Sequence, residues 1–433
     1  AGGVVIPVGQ PCRSWSSKTP SAGGPQELRR LADSSALFDF GLALCTLPFG
    51  TLQLGITTGE WMLTPWLVQG GLLQLIAGLV QFQRQDILLA TTYSSLGCLF
   101  LGLAQSFYHS LAVPSTPSLE HAGVVLLAYT LFLLLVVLVA CAREKLLPLS
   151  MLVLSCVCVA SGSSLLWSSP RWISGTLLLA STLLSLYSFA ANIIRGVAGG
   201  PVLWTGRGLL DWTSVAQKRT GKMPAPLHLS TDTSFADPAP LGLLGLLVGA
   251  LVLGCKDFSL TQGTWNSSPW ILWHGGMHQF LAGLVAFQRG KVFPAMAFTG
   301  YSVLWFAIFH KDMILLTLDD PSGLLVPLPR DQHFGVALGG FLAFSLVLTI
   351  VAMGLNQMLL WVLVSIDWVI VFLMLVIFQG IRPEWPGIGL LILVPLTAWG
   401  VCGDLVNGES GASLISLGGP FVRWEKHIRP KST

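Results

Sequence analysis

From Gly123 to Ala140 the chain reads GVVLLAYTLFLLLVVLVA, eighteen residues without a charge. A run that long and apolar has few places to go. In hydrocarbon every backbone N–H and C=O must be bonded within the segment, so the run is a helix, and about 20 such residues cross a bilayer. It has many companions. Comparable spans lie near 36–56, 65–82, 88–108, 121–141, 148–167, 172–191, 239–256, 269–287, 292–312, 334–353, 358–378 and 386–406. Twelve crossings are therefore expected, six on each side of a polar stretch at about 195–236. Composition agrees: 53% hydrophobic residues, 10% charged residues and a mean hydropathy of +0.72 give more apolar surface than soluble domains hide. The partner this demands is the lipid bilayer.

The chain also repeats itself. QLIAGLVQFQR, from Gln74 to Arg84, returns 205 positions later as QFLAGLVAFQR, from Gln279 to Arg289. Upstream, Asp33 matches Asp237, Gly41 matches Gly245, and Pro65-Trp66 matches Pro269-Trp270, all at a spacing of 204. One residue is thus inserted in the second copy. Six spans is an even number, so both copies enter the membrane in the same direction, unlike inverted repeats. The fold class predicted is all-α integral membrane, twelve transmembrane helices as two parallel six-helix repeats. The expected divisions are a tail at 1–35, a first repeat at 36–194, a linker at 195–234, a second repeat at 235–408 and a tail at 409–433.

Basic residues set the orientation. With the N-terminus in the cytoplasm, 18 of the 23 Lys and Arg residues fall on the inner side, which predicts that both termini are cytoplasmic. The first 35 residues lack the apolar core of a signal peptide and read as part of that inner side. A multi-pass protein of the plasma membrane is expected. Trp61, Trp66, Trp167, Trp172, Trp265, Trp270, Trp273 and Trp385 gather at outer boundaries as an aromatic belt. Asn266, in the one Asn-x-Ser/Thr sequon, falls in an outer loop and is a candidate for glycosylation. The net charge of +3 is explained by the inner bias, so no nucleic-acid partner is implied. The eight cysteines show neither a disulfide framework nor metal spacing.

Charge inside a span is expensive and often functional. Asp367 lies mid-span, either titrating during transport or tying helices together. His274 and His278 are one turn apart on one face, which suits helix packing or, for His278, proton handling; a metal would need a third ligand that no nearby spacing supplies. Asp39 falls in the first turn of its helix, where the dipole favours an acid. Gln74 and Gln279 read as interhelical hydrogen-bonders beside Gly70-Gly71 and Gly275-Gly276.

The second half then shows a family pattern. FADPAPLGLLGLLVGALVLG resembles the NPAPLGL signature of the acetate uptake transporter family, the succinate-acetate permeases and their fungal acetate and ammonia relatives. GGMHQFLAGLVAFQRGKVFPAMAFTGYSVLW is similar to the next conserved block, and GDLVNGE at Gly403 to Glu409 to the closing one. The resemblance implies a substrate mouth at Asp237, Pro238, Ala239, Pro240, Leu241 and Gly242. It implies a pore constriction at Leu246, Tyr301 and Ile366, where the family has Phe, Tyr and Leu. Two departures stand out: Asp237 replaces Asn, and an ionised carboxylate there would repel an anion, while Leu246 leaves more room than Phe. Leu42, Leu96 and Cys156 hold the three constriction positions of the first half, which looks like a diverged copy.

Two functional classes follow. The resemblance implies a transporter or channel for small monocarboxylates such as acetate, proton-coupled, or for ammonium if Asp237 reverses selectivity, with the path through the second repeat. The alternative is a non-transporting scaffold or accessory subunit of a larger membrane complex. No enzyme activity and no cofactor is expected. Family members resemble one another in forming hexamers of six-helix protomers, so a homotrimer closing as a pseudo-hexamer is implied.

Overall fold

The computed structural model describes residues 33–57, 63–112, 119–167, 169–198, 203–206, 208–210, 215, 217–219, 235–261, 264–318 and 332–422. Most of the expected linker and of the N-terminal tail, with Trp61, lie outside these residues, as do residues 423–433 of the C-terminal tail and the Trp265 side chain.

Among the described residues the chain is all helical. The elements are α1 (Ser35–Gln53), α2 (Thr64–Gln83), α3 (Ile87–Ala112), α4 (Glu120–Ala140), α5 (Leu146–Trp167) and α6 (Arg171–Ala198) in the first half. The second half holds α7 (Ala239–Asp257), α8 (Thr264–Trp270), a π-helical segment (Ile271–His278), α9 (Gln279–Gln288), α10 (Val292–Leu318), α11 (Gln332–Ala352), α12 (Gln357–Gln379) and α13 (Glu384–Ser410). Eleven described helices are long and apolar enough to cross a membrane. The span expected at 269–287 is helical throughout, but as α8, the π segment and α9 in succession.

The π segment is where the inserted residue went. In the first half Gly41 of α1 approaches the Gly70 carbonyl and the Gln74 side chain, where an added Cβ would sit at 2.8 and 3.2 Å. In the second half Gly245 of α7 meets the His274 carbonyl and His278 Cβ, each at 2.6 Å, so this face keeps the 204 register through His278. The opposite face has already changed. Gly71 meets Leu101 and Gly276 meets Phe306, a register of 205. One extra residue is absorbed by a wider turn, the usual origin of a π-bulge. His278, not Gln279, therefore occupies the seat of Gln74.

Small residues bring the helices together, as expected where lipid offers no hydrophobic drive between them. Gly78 packs on Ser94 and, 205 residues later, Gly283 packs on Thr299; in both an added Cβ would lie 2.2 Å from the hydroxyl. The turns that end α2 and α9 match too: Gln85 at φ 64° and Gly290 at φ 66° occupy the left-handed region. Asn356 caps α12 by accepting the Leu359 N–H at 2.8 Å, and Gly380 at φ 66° ends it.

Several expectations are corrected at the contact between halves. Trp270 is fully buried, its ring against Gly102 of α3, and so is not part of an aromatic belt, whereas its counterpart Trp66 is 47% exposed. Trp273 Nε1 donates to Gln105 Oε1 at 2.8 Å rather than to headgroups. Asn266 lies within α8 with a side chain 9% exposed and Ser268 0%, so the sequon is packed in a helix instead of displayed on a loop. The glycan expectation is not retained.

Candidate functional site

Three helices of the second half converge at their middles. α7 supplies Leu246, α10 supplies Tyr301 and α12 supplies Ile366, and all three line one cavity of about 120 Å³. Its walls are apolar, with Trp305, Phe334, Leu338 and Leu390. Its far end is charged. Lys256 and Asp257 close α7 there, and Lys311 and Asp312 face them from α10; both ammonium groups lie 3.9 Å from the carboxylate of Asp312, which is 1% exposed.

Behind Tyr301 runs a file of hydroxyls. Tyr301 Oη is 2.7 Å from Ser345 Oγ, Ser345 donates to Asp367 Oδ1, and Thr349 donates to Asp367 Oδ2 at 2.7 Å. Ser345 and Thr349 are one turn apart on α11, so one helical face satisfies both carboxylate oxygens. The sequence reading named Tyr301 and Asp367 but not the two hydroxyls between them. The signal was there: two polar side chains at i and i+4 in an otherwise apolar span. The charged end was missed as well, because Lys256 and Lys311 were counted only as outer-side charges.

The six residues expected at a mouth do not line this cavity. Pro238, Pro240, Leu241 and Gly242 are buried in the first turn of α7, with Gly242 against the Phe298 ring, and Ala239 is partly covered. Asp237 is half-exposed and accepts the Ala239 N–H at 3.0 Å. Its charge is not left open: Arg289 Nη1 lies 2.7 Å from Asp237 Oδ2. The anion-repelling carboxylate inferred from the Asn-to-Asp departure is thus neutralised.

The other candidates lie elsewhere. His274 and His278 are fully buried with ring centroids 4.9 Å apart, and neither lines the cavity. Tyr129 donates to the Ser95 carbonyl at 2.8 Å, so its oxygen accepts from His274 Nε2 at 2.9 Å, linking α4 to the π segment. Gln74 donates to Cys45 Sγ at 3.7 Å, and the buried carbonyl oxygens of Gln74 and Gln279 have no hydrogen-bond partner among the described residues. Asp39 bridges α1 to α6, accepting from Ser188 at 2.7 Å and Asn192 at 2.8 Å.

In the first half the constriction positions are packed shut. Leu42 and Leu96 are 1% and 0% exposed in the core, and Cys156 is exposed, turned away from them. A cavity of about 60 Å³ lies beside Leu52, Gln53, Ser106 and Phe107. These four are the 204- and 205-residue counterparts of Lys256, Asp257, Lys311 and Asp312, so the charged cluster is peculiar to the second half.

Outside the spans, ion pairs fasten the ends. Burial raises the Asp33 carboxyl, but bonds from Ser35, the Arg84 guanidinium 3.7 Å away and the Gln81 amide outweigh it and hold it below the usual range. Burial likewise works against the Arg143 charge. Bidentate contacts to Glu409 and Asp86, at 2.6–3.0 Å, overcome it and raise the guanidinium above its ordinary value. That residue ties the α4 end, the α3 start and the α13 end together.

Comparison with known proteins follows the duplication. The family model described as GPR1/FUN34/yaaH family matches twice, at residues 17–197 and 220–399. The succinate-acetate/proton symporter SatP of Escherichia coli (strain K12) is 31% identical over 115 residues, 27% of this chain and 58% of the relative. The glyoxylate pathway regulator of Yarrowia lipolytica is 31% identical over 119 residues, and the ammonia transport outward protein 3 of Saccharomyces cerevisiae 26% over 125, each covering 27% of this chain and 43% of the relative. The chain thus spans about half the length of these relatives. A structure of the bacterial acetate channel SatP aligns with 24% identity and a TM-score of 0.37, covering 42% of this chain and 99% of that one. With both halves matched over most of its length, this multi-pass membrane protein belongs to the GPR1/FUN34/yaaH family, as a tandem of two copies.

Proposed function

We propose that the chain conducts a small monocarboxylate such as acetate across the plasma membrane, through the second half. The observation that carries this is the cavity where Leu246, Tyr301 and Ile366 meet, with Lys256 and Lys311 at its end. An apolar neck discriminates by size and by the cost of dewetting. A volume of about 120 Å³ suits a small solute with a few waters, not a drug-sized ligand. Lys256 and Lys311 offer ammonium donors to a solute carboxylate, with Asp257 and Asp312 balancing their charge, and the Asp237–Arg289 pair removes the reason to expect ammonium. The bacterial relative, a succinate-acetate/proton symporter, supports the same class.

In this reading the membrane is crossed twelve times, in two parallel repeats with both termini cytoplasmic. Three chains close a pseudo-sixfold ring. What supports the ring is the contact between halves: α3 covers Trp270, while the matching Trp66 is open, and α10, the counterpart of α3, is buried along less than half its span. One copy of a head-to-tail contact is made within the chain and one is left for a neighbour.

The test is uptake of labelled acetate by vesicles holding the purified full chain. Uptake above protein-free vesicles that excess ammonium does not compete supports the proposal. No uptake at all would favour a scaffold, for which the shut first half already speaks.

A further inference from the structure

The repeat does not stop at the sixth helix of each half. Beyond α6 and α13 the chain turns back and is held at three places, each matched in the other half at a spacing of 212. Tyr187 Oη donates to the Trp204 carbonyl at 2.8 Å, and Trp399 Nε1 to the Ser416 carbonyl at 3.1 Å. The Leu146 N–H, where α5 begins, donates to the Thr205 carbonyl, and the Met358 N–H in the first turn of α12 to the Leu417 carbonyl, both at 3.1 Å. The N–H groups of Leu209 and Leu210 share the Cys141 carbonyl just past α4, and those of Phe421 and Val422 share the Met353 carbonyl just past α11. Gly206 and Gly418, at φ 76° and 80°, turn the chain between these bonds. An added Cβ there would lie 2.8 Å from Lys145 Cβ and 2.7 Å from Gln357 Cβ. A strap of the same build thus closes one end of each half. Both straps lie at one membrane face, since Arg143 beside the first is paired with Glu409 beside the second.

What the straps present differs from what holds them. Leu209 is 62% exposed and its counterpart Phe421 70%, and Trp204 and Leu210 are exposed as well. Tyr187 and Trp399 each stand eleven residues before the end of their helix, roughly 16 Å along its axis, so the strap returns alongside the helix instead of leaving the membrane. Its bonded carbonyls suit the edge of the hydrocarbon, where an unpaired one is costly. The sequence then continues alike. Each strap runs on to a tryptophan, Trp212 and Trp424, again 212 apart, and residues 203–222 and 415–433 each carry four Lys or Arg against one acid. Lys218 and Arg219 are exposed. An apolar tip suits the acyl boundary, an indole the headgroup layer and surplus positive charge a negatively charged leaflet.

We propose that the two straps dock on anionic phospholipid headgroups of the leaflet at that face, with Leu209 and Phe421 entering the acyl boundary and the positive charge of each strap facing the phosphates. This is independent of what the second half conducts. The occupant is lipid because the straps run along the ends of membrane helices and share the same charge and the same apolar tip.

Hydrogen exchange of the full chain tests this, in nanodiscs of phosphatidylcholine alone and of phosphatidylcholine mixed with phosphatidylserine. Amides of 203–222 and 415–433 should exchange roughly fivefold more slowly, or slower still, with phosphatidylserine, because each basic residue at an anionic surface is favoured by about that factor. High salt should remove the difference. Lys218→Glu with Arg219→Glu should abolish the protection of the first strap alone, and Arg423→Glu with Lys426→Glu that of the second alone, so each strap is the other's control for folding. Equal exchange in the two lipids, or phosphatidylserine protection that survives both charge reversals, would overturn the proposal. So would protection seen only with two chains in one disc, which would assign the surface to a neighbouring copy.

Discussion

Arg289 grips Asp237 at 2.7 Å just as Arg84 faces Asp33 at 3.7 Å, 205 and 204 residues earlier respectively. In both halves the arginine ends the second helix and the acid precedes the first. The pair clamps the two helices at one membrane face. In the second half it also sets the local charge: Asp237→Asn would leave the Arg289 guanidinium without its partner. Anion flux should rise several-fold at low ionic strength and the gain should shrink in high salt, because exposed charges steer ions only within a Debye length. Flux measured at two salt concentrations checks it.

Tyr301→Ala should widen the neck and admit larger carboxylates, raising leak of a three- or four-carbon acid relative to acetate. The matched control is Leu96→Ala. It opens a fully buried position in the first half, so thermal stability should fall, by about 2–5 kcal/mol on the scale of core truncations, with selectivity unchanged. Equal changes in selectivity would mean that both halves conduct.

Tyr129→Phe tests the link between halves. His274 would lose its buried partner, at a cost of about 1–3 kcal/mol. A lowered melting temperature in detergent is expected with the helical circular-dichroism signal retained; an unchanged one would show that the contact contributes nothing.

Gln85→Gly should stabilise the chain. Gln85 holds φ 64° where the second copy has Gly290 at 66°, and a side chain in the left-handed region costs about 1 kcal/mol. Melting curves of the two proteins decide it.

Acid sensitivity has a local contribution at Asp33. Its carboxyl sits below the ordinary value of 3.8, so its stabilising effect is complete above that value and is lost as pH falls through the lower, folded one. Asp33→Asn should therefore destabilise at neutral pH and become indistinguishable from wild type at the most acidic end. A difference that persists there would rule out titration as the cause.

Much of this was legible from residue order. Span positions follow from the absence of backbone partners in lipid, and the change of spacing from 204 to 205 located the insertion between Trp270 and Gln279. What the spacing could not say is that the extra residue would widen a helix rather than loop out. That outcome depends on packing on both faces at once, Gly245 on one side and Phe306 on the other. The pairing of Leu246, Tyr301 and Ile366 was readable only through resemblance, since they lie on helices far apart in sequence. Trp270 was misplaced for a related reason. A tryptophan at a span end looks alike whether lipid or the other half covers it, and here Gly102 opens the room that receives it.

The π segment shows what fusion makes available. In a ring of identical subunits any inserted residue recurs at every position of the ring, and each interface must tolerate it at once. Two copies on one chain are free of that rule. The second half could take an extra residue, gain a buried histidine pair and reach Tyr129 across the seam, while the first kept a plain helix that begins beside an exposed Trp66. In the proposed ring, covalent linkage turns one kind of seam into two kinds, and inheritance can adjust each without disturbing the other.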